Sequence, residues 1–489
     1  MKSAALLLPA LLLLIAPRVA AQAEAPAEAE LSEEEEEEEE GLQQRLTERE
    51  DQRRPLKPWS TRIFGHRLTL GGEYETEFRY LRRRVFDEDE DLRKLNPDDD
   101  ERRPDRSLME HTFEVEAFYS LGEPLSFFVQ GQAILEEDPD SLRESYDSYF
   151  ERGEMWLASE DIAGSDVSFD AGRLDFEDER RWWFDDELDA VRLTWEPAEA
   201  VEISLALAQE LLPERSDRDY IEPEQEDVLR LLGQASWGWR TDHLLELFAI
   251  YHDDRSPSQL GEVVDEERED DLDAELTWLG LRAMGVFGLG ERGLLGYWLD
   301  TGLVHGNVRK LVDREDPDPD IEHHDVDGWA FDLGASWILP LDYDPRLFAG
   351  YAMGSGRFRQ TDLQANEAGF GGVERFPSYG ILLDPELSSL AVATVGAGLS
   401  LLRSSSLDLV YHHYRLTGSA DQLADDQLDA TLVRGQHELG YGFDLVLGLE
   451  EWERLEFTFA LAALRSGDAF VNRPNRWTYG GFAAVRYAF

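Results

Sequence analysis

Guanidinium and indole groups lie side by side in the stretch GRLDFEDERRWWFDDELDAV, which covers residues 172–191. Arg180 and Arg181 precede Trp182 and Trp183, and acidic residues flank all four. A guanidinium group pairs with a carboxylate through two parallel hydrogen bonds, and an aromatic ring can stack on a sugar ring. If these residues line an opening of the fold, they could therefore contact a sugar or another charged solute.

Two other sets of residues could support chemistry of a different kind. The adjacent carboxylates Asp185 and Asp186 could perform acid–base hydrolysis of a glycan or lipid. The chain contains 105 Asp and Glu residues, however, and in such a chain close pairs arise from composition alone. We therefore predict that the chain is not an enzyme.

The paired histidines do not predict a metal site. Adjacent residues of a strand point to opposite faces, so His412 and His413 cannot easily bind one ion. We expect His323 and His324 to lie in a solvated loop. No cofactor is predicted, with the exception of weakly bound calcium in acidic loops.

Net charge and composition narrow the class of protein. The chain has 489 residues, with 47 Lys and Arg against 105 Asp and Glu, and its formal net charge is −58. So acidic a chain does not bind nucleic acid through a basic face. The absence of cysteine excludes disulfides and thiolate metal sites.

The first sixty residues differ from the rest. Residues 1–22 combine Lys2, an apolar run and a small-residue cleavage site, which is the pattern of a bacterial secretory signal peptide. Residues 23–60 include the unbroken run Glu33 to Glu40, and its mutual repulsion predicts a disordered acidic tail. We assign residues 61–489 to one folded domain.

From Gly71 onward the sequence alternates between apolar and polar residues. In GGEYETEFRY, Tyr74 and Phe78 fall on one face of a strand, and Glu73 and Glu75 fall on the other. The same pattern predicts about eighteen strands, an even number as expected for a bacterial barrel. They lie near residues 66–82, 109–121, 124–136, 148–159, 165–173, 186–196, 200–210, 229–240, 242–252, 272–284, 293–305, 326–338, 345–355, 388–402, 405–416, 435–449, 452–464 and 475–489.

The predicted connections alternate between long and short along the chain. Long extracellular loops opposite short periplasmic turns are typical of an outer-membrane barrel. The long loops carry acidic runs such as 87–91, 98–101, 266–271 and 313–320, which indicate a hydrated exterior. The chain ends in RWTYGGFAAVRYAF, and the terminal Phe489 resembles the signal that the bacterial barrel-assembly machinery reads. The fold class is therefore all-β: a transmembrane antiparallel up-and-down β-barrel in the outer membrane.

A barrel must direct its charged side chains to the lumen or the loops. Strand parity places Arg79, Arg192 and Arg486 toward the lumen among many glutamates. Each could line a pore or form a salt bridge with neighbouring carboxylates. We expect Trp182 and Trp183 to belong to the outer aromatic girdle, and the alternative is that they line the pore mouth.

Several stretches resemble the alginate export family of outer-membrane porins. Besides the motif at 172–191, they include the following segments: FFVQGQAILEED (127–138), TWLGLRAMG (277–285), LGYWLDTGLVHGN (295–307), FDLGASW (331–337), GYAMGSG (350–356), RFPSYGILLDPELSSLAVATVGAGLSL (375–401), LVYHHYRL (409–416) and GDAF (467–470). The resemblance implies a monomeric eighteen-stranded barrel whose lumen is narrowed by arginines. It also implies that Arg173 and Arg375 lie in the pore.

The sequence leaves two functions open. The first is a channel that conducts a polysaccharide or other charged solute past Arg79, Arg173, Arg192 and Arg375. The second is a general, cation-preferring diffusion porin. In both, the partners are the solute, outer-membrane lipid and the barrel-assembly machinery.

Overall fold

The fold is taken from a computed structural model, which describes residues 59–82, 106–122, 125–138, 145–160, 162–198, 200–222, 225–254, 272–312, 320–418, 423–424, 427–428, 431–471 and 475–489. The first half of this part contains β1 (Trp59–Ile63), β2 (His66–Leu81), β3 (Arg106–Ser120), β4 (Leu125–Asp138), β5 (Ser145–Ser159), β6 (Val167–Glu177), β7 (Asp185–Ala198), β8 (Val201–Ala208), β9 (Val228–Arg240) and β10 (His243–Asp254). The second half contains β11 (Leu272–Gly288), β12 (Leu294–Val312), β13 (Asp320–Ile338), β14 (Arg346–Gly354), β15 (Glu367–Ala368), β16 (Phe376–Pro377), β17 (Leu390–Ser400), β18 (Ser405–Leu416), β19 (Glu438–Trp452), β20 (Leu455–Ser466) and β21 (Trp477–Ala488).

The strands close into a barrel. Each of the eighteen long strands pairs antiparallel with its sequence neighbours, and β21 pairs with β2 from Glu73↔Ala488 to Leu81↔Gly480. The short strands β15 and β16 form a separate two-stranded sheet. Among the described residues, no helix is long and apolar enough to cross a membrane. The predicted all-β barrel and its strand count are confirmed.

β1 lies beside the seam of the barrel. It pairs with β2 from Trp59↔Leu70 to Ile63↔His66, along the edge that β21 leaves free. Two of its residues, Trp59 and Ser60, fall in the range that the sequence analysis gave to the tail, so the ordered domain begins slightly earlier. The predicted signal peptide and the rest of the tail lie outside the described residues.

Side chains alternate between lipid and lumen as predicted. On β2, Tyr74 and Phe78 are 39% and 45% exposed on the outer face. Glu73, Glu75 and Glu77 point to the inside, where their side chains are partly covered. This arrangement leaves an apolar outer surface for lipid and a strongly acidic inner wall.

Long and short connections alternate around the barrel, which assigns the long ones to the extracellular side. β12 and β13 each contain 19 residues and are longer than predicted. At about 3.3 Å per residue such strands exceed a hydrocarbon core of about 30 Å, so this hairpin extends into the extracellular space. His323 and His324 therefore lie on β13 and not in a loop, which corrects the sequence prediction.

The C-terminal residue helps to close the seam. The Phe489 N–H donates to the Gly72 carbonyl at 2.9 Å, and its ring stacks on Phe113 with centroids 5.6 Å apart.

We expect Phe489→Ala to lower the free energy of unfolding in detergent by about 1 kcal/mol more than Phe127→Ala, a lipid-facing truncation on β4. Urea titrations measure both, and equal losses would contradict this role for the ring.

Candidate functional site: an inward hairpin and a strap inside the barrel

The β6–β7 hairpin leaves the barrel wall before it reaches its tip. The last β5–β6 pair is Met155↔Arg173, and the uppermost β7–β8 pair is Ala190↔Ala208. β6 and β7 nevertheless remain paired with each other as far as Glu177↔Asp185. Residues 174–188 thus form a ribbon without a ladder to the neighbouring strands described here. Its tip is buried inside the barrel, and we call this ribbon and tip the inward hairpin.

The β8–β9 connection closes the gap that the inward hairpin leaves in the wall. Glu151 of β5 forms a bridge with Arg215. The Arg152 N–H donates to the Glu214 carbonyl at 3.1 Å, and the Ser216 N–H donates to the Phe150 carbonyl at 2.8 Å. The wall therefore stays continuous although two strands have turned into the lumen.

The aromatic residues at the hairpin tip pack against the opposite wall. Trp182 and Trp183 are 2% and 1% exposed, and Trp183 stacks on Phe248 of β10 at 5.0 Å. The Trp183 ring lies directly over Gly280 of β11, where a Cβ atom would come within 1.9 Å of it. The expected place of these rings in the outer girdle is therefore wrong, because their hairpin folds into the barrel. Their burial also leaves them little surface for a sugar.

A second segment, residues 355–389, connects β14 to β17 and crosses the lumen on the way. We call it the strap. Its Phe358 stacks on Trp182 at 6.3 Å, and its Thr361 hydroxyl donates to the Trp183 carbonyl at 2.8 Å. Further along, the Val373 N–H donates to the Ser406 hydroxyl at 3.1 Å on the wall strand β18. The strap and the inward hairpin together narrow the lumen.

A buried charge cluster fixes the hairpin tip to the wall. Arg282 of β11 is fully buried and pairs with Asp178 at the tip and, at 2.6 Å, with Asp300 of β12. Arg180 of the tip pairs with Asp300 at 3.1 Å and with Asp332 of β13 at 2.8 Å. Two guanidinium groups thus offset two of the three carboxylate charges in a place from which water is excluded, and the buried Glu246 of β10 lies 3.6 Å from Arg282 as well. Loss of one partner from such a cluster is costly because it leaves a buried charge unpaired.

The strap joins the same cluster through Tyr379. Its hydroxyl donates to Asp332 at 3.1 Å and accepts from the Trp182 indole at 2.9 Å. Burial, together with the charge on Asp332, raises the pKa of Tyr379 well above its usual value, so the donor proton is retained. The Trp298 indole also donates to Asp332, at 2.9 Å. Asp332 therefore connects the strap, the hairpin tip and the wall.

Asp178 caps the hairpin tip from within. Burial alone would raise the pKa of its carboxyl. The charge on Arg282 and the backbone N–H groups of Phe184, Trp183 and Arg180 outweigh burial, and the pKa of Asp178 is lowered. The carboxylate thus stays ionised, and it holds the tip backbone and the wall arginine together.

The predicted pore residues Arg181 and Arg375 meet where the hairpin and the strap adjoin. Arg181 pairs with Glu177 at 2.9 Å and with Glu367 of the strap at 2.7 Å. Arg375 of the strap pairs with the same Glu177 at 2.6 Å. The side chains of both arginines are just over a quarter exposed. Arg79, on the facing strand β2, lies close enough to Glu367 to interact with it electrostatically.

Arg173 occupies the base of the hairpin. Its side chain is 2% exposed and pairs with Glu187 at 3.1 Å, with Glu210 at 2.9 Å and with Glu214. A guanidinium group so completely paired holds the hairpin against the β8–β9 connection. The geometry favours a structural role over direct contact with a solute.

The remaining predicted arginines lie on the barrel wall. Arg192 pairs with Asp170 at 3.0 Å. Arg486 pairs with Glu75 at 3.2 Å and with Glu73 at 3.4 Å, and its side chain is 46% exposed. Arg486 therefore faces the open part of the lumen, below Arg79 on the neighbouring strand.

Sequence reasoning missed the buried partners Arg282, Asp300 and Asp332. A usable signal was present, because Arg282 is the one charged residue of the stretch TWLGLRAMG. An ionisable residue inside a membrane-spanning strand marks a functional or structural site. Its partners are Asp300 on the inner face of the next strand, Glu246 on the preceding strand and Asp178 at the hairpin tip.

A metal site would need several His, Asp or Glu side chains close together. No group of three or more His, Cys, Asp or Glu side chains suited to a metal ion occurs within the residues that the structure describes. The acidic runs predicted to hold calcium lie outside those residues, apart from Asp320 at the start of β13. Calcium binding by these loops stays a prediction.

The contact between Trp183 and Gly280 can be tested by size. We expect Gly280→Val to displace the hairpin tip and raise single-channel conductance, because a side chain cannot fit beneath the indole ring. Gly288→Val on the same strand is the control, since a Cβ atom there meets nothing within 4 Å. Planar-bilayer recordings of both variants measure the effect. Equal conductance in the two variants would contradict the packing described here.

The low pKa of Asp178 predicts how the anchor depends on pH. A carboxylate whose pKa is lowered by folding stabilises the folded state above its usual pKa, and this stabilisation is lost as pH falls through the lowered value. We expect wild-type tryptophan emission to be constant from neutral pH to about pH 4 and to shift to the red below it. Asp178→Asn should show the shifted emission at neutral pH. Wild-type emission in that variant would mean that the tip does not depend on this charge.

Comparison with known proteins gives sequence relatives. A family model described as alginate export matches residues 76–479. The alginate production protein AlgE of Pseudomonas aeruginosa is 27% identical over 323 residues, which are 62% of this chain and 64% of that protein. AlgE of Azotobacter vinelandii is 24% identical over 287 residues, which are 54% and 58% of the two chains. The matched region thus spans less than two thirds of each of these relatives.

Solved structures show a similar fold. Pseudomonas aeruginosa OccK8 (OprE) matches with a TM-score of 0.51 at 12% identity, over 86% of this chain and 98% of that one. The outer membrane protein opdK of the same species matches with a TM-score of 0.53 at 9% identity, with the same coverage. The barrel, these neighbours and the sequence relatives place the protein in the bacterial outer membrane. The family match over most of its length shows that this chain belongs to the alginate export family.

Proposed function

We propose that the protein is an outer-membrane channel that conducts an acidic polysaccharide along the open side of its lumen. The family match, the porin-like fold and a passage lined by arginines support this proposal. Family membership also supports a transport role over catalysis. The observation that carries the proposal is the meeting of Arg181 and Arg375 over shared carboxylates.

Because Arg181 and Arg375 share carboxylate partners, a carboxylate of the solute can replace one of these partners. Arg181 and Arg375 both pair with Glu177, and Arg181 also pairs with Glu367. Because a guanidinium group has five N–H donors, a uronate carboxylate can take the place of one wall carboxylate without stripping the group of all partners. Binding and release then proceed one pair at a time.

The carboxylates of the wall and those of the solute compete for the same arginines, so the polymer can move along the channel. Conduction requires that each site bind well enough to admit the solute and weakly enough to release it. Arg486 provides a second partly exposed site, paired with Glu75 four residues below Arg79. Four strand residues span about 13 Å. Successive arginines can therefore hold successive carboxylates of one extended chain.

The acidic inner wall supports a second candidate function, a cation-preferring pore. Glu73, Glu75 and Glu77 on β2, with Glu114 and Glu116 on β3, face the lumen and outnumber the basic groups near them. Small anions are repelled by such a wall, whereas small cations are attracted. A polymer would enter with its counterions and exchange them at the arginines.

Channel block distinguishes the two functions. We expect oligouronate on one side of a planar bilayer to block wild-type channels, and neutral oligosaccharide of equal length to block them less. Arg181→Gln combined with Arg375→Gln should weaken the block about thirtyfold, since two lost charge-assisted pairs at about 1 kcal/mol each amount to about 2 kcal/mol. Arg403→Gln in a short periplasmic turn is the matched control.

Polysaccharide conduction and a general pore predict different results. Block by oligouronate that is weaker only in the double variant supports polysaccharide conduction. A cation-selective reversal potential without oligouronate block, and without a difference between the variants, would overturn it in favour of the general pore.

A further inference from the structure

The outer face of β18–β21 differs from the rest of the extracellular rim. Paired residues across these four strands form one row, which runs His413↔Tyr441, Tyr441↔Arg465 and Arg465↔Trp477. Arg415, two residues above His413, is exposed. On the same faces, Leu409 and Leu461 are 53% and 66% exposed, so this row points away from the lumen.

An aromatic cluster lies in and below this row. Tyr411 contacts Phe443 at 5.2 Å and Tyr441 at 6.0 Å, and Trp477 contacts Tyr441 at 5.8 Å. Amphipathic rings of this kind settle at the boundary between hydrocarbon and head groups. The row therefore sits at the head-group level of the outer leaflet.

Arg465 is held in place at this level. Its guanidinium donates to the Tyr441 hydroxyl at 2.9 Å and lies 5.8 Å from the centre of that ring. A second N–H donates to the Asn475 side chain at 3.4 Å. None of these partners is an anion, so the charge on Arg465 is positioned but not neutralised by them. Among the described residues of these strands, Glu438 lies opposite Arg415 in the strand register, and its carboxylate pairs with His413 at 2.9 Å.

The rim at β11–β13 is acidic. Glu275 on β11 and both Asp325 and Asp327 on β13 occupy exposed outward positions above the lipid-facing rows. In a chain of net charge −58, a lipid-facing row with two arginines beneath an acidic exterior is a local exception. Its charge matches a phosphate group, which guanidinium binds in a fork geometry.

We propose that this face, which we call the β18–β21 face, binds a phosphorylated glycolipid of the outer leaflet. Arg415 and Arg465 contact the phosphate, and Tyr411, Tyr441 and Trp477 contact the upper part of the acyl chains. The bound lipid therefore occupies one particular side of the barrel. This inference does not depend on which solute the lumen conducts.

Lipid retention tests the proposal. Purified protein in detergent is mixed with diphosphorylated lipid A or with its dephosphorylated form, and native mass spectrometry measures the bound fraction. We expect the phosphorylated form to be retained about tenfold more strongly, and Arg415→Gln combined with Arg465→Gln to remove this preference. Arg292→Gln, in a periplasmic turn, is the control and should retain it.

Two results would overturn the proposal. One is equal retention of both lipids by the wild type. The other is a preference that survives in the double variant and disappears with a chelator, because the lipid phosphate would then be bound through divalent cations at the acidic rim. A heat-modifiable gel shift, identical in all variants, shows that the barrels compared are folded.

Discussion

The buried pairing of Arg282 with Asp178 and Asp300 is the interaction on which the interior of this barrel depends. A charge with no access to water must be neutralised where it lies, so the wall strand and the hairpin tip cannot separate without a large cost. Arg180 and Asp332 extend the same cluster to β13, and Tyr379 extends it to the strap. One network of hydrogen bonds therefore sets the position of both segments that narrow the lumen.

The barrel wall stays closed although the ends of β6 and β7 turn into the lumen. The β8–β9 connection fills the gap by pairing with β5, and Arg173 clamps it to the hairpin base through Glu210 and Glu214. The passage that we propose for the solute runs between the acidic face of β2 and β3 and the arginines of the hairpin and the strap. The fully buried arginines hold the structure, and we propose that the partly exposed ones bind the solute.

Alternation of residue type was enough to predict the barrel, because lipid on one side and water on the other impose a period of two on every strand. It placed the β2 glutamates inside and the tyrosines outside correctly. It could not predict that β6 and β7 leave the wall, since Trp182 and Trp183 have the same residue type whether they meet lipid or the barrel interior. Nor could parity reveal that Arg173 and Arg180 are buried, because burial there comes from contacts between segments far apart in sequence. Arg282, the one charged residue of the stretch TWLGLRAMG, was the sequence signal for the buried charge cluster.

We infer that the hairpin tip, fixed by the Arg282 cluster, sets the width of the channel. The most direct test is the single-channel conductance of a chain in which residues 178–184 are replaced by an Asn-Gly turn, which joins two strands without strain. We expect a conductance several times that of the wild type, on the order of the change expected when an aromatic plug leaves a pore. A conductance equal to that of the wild type would contradict it, since the passage would then be narrowed elsewhere.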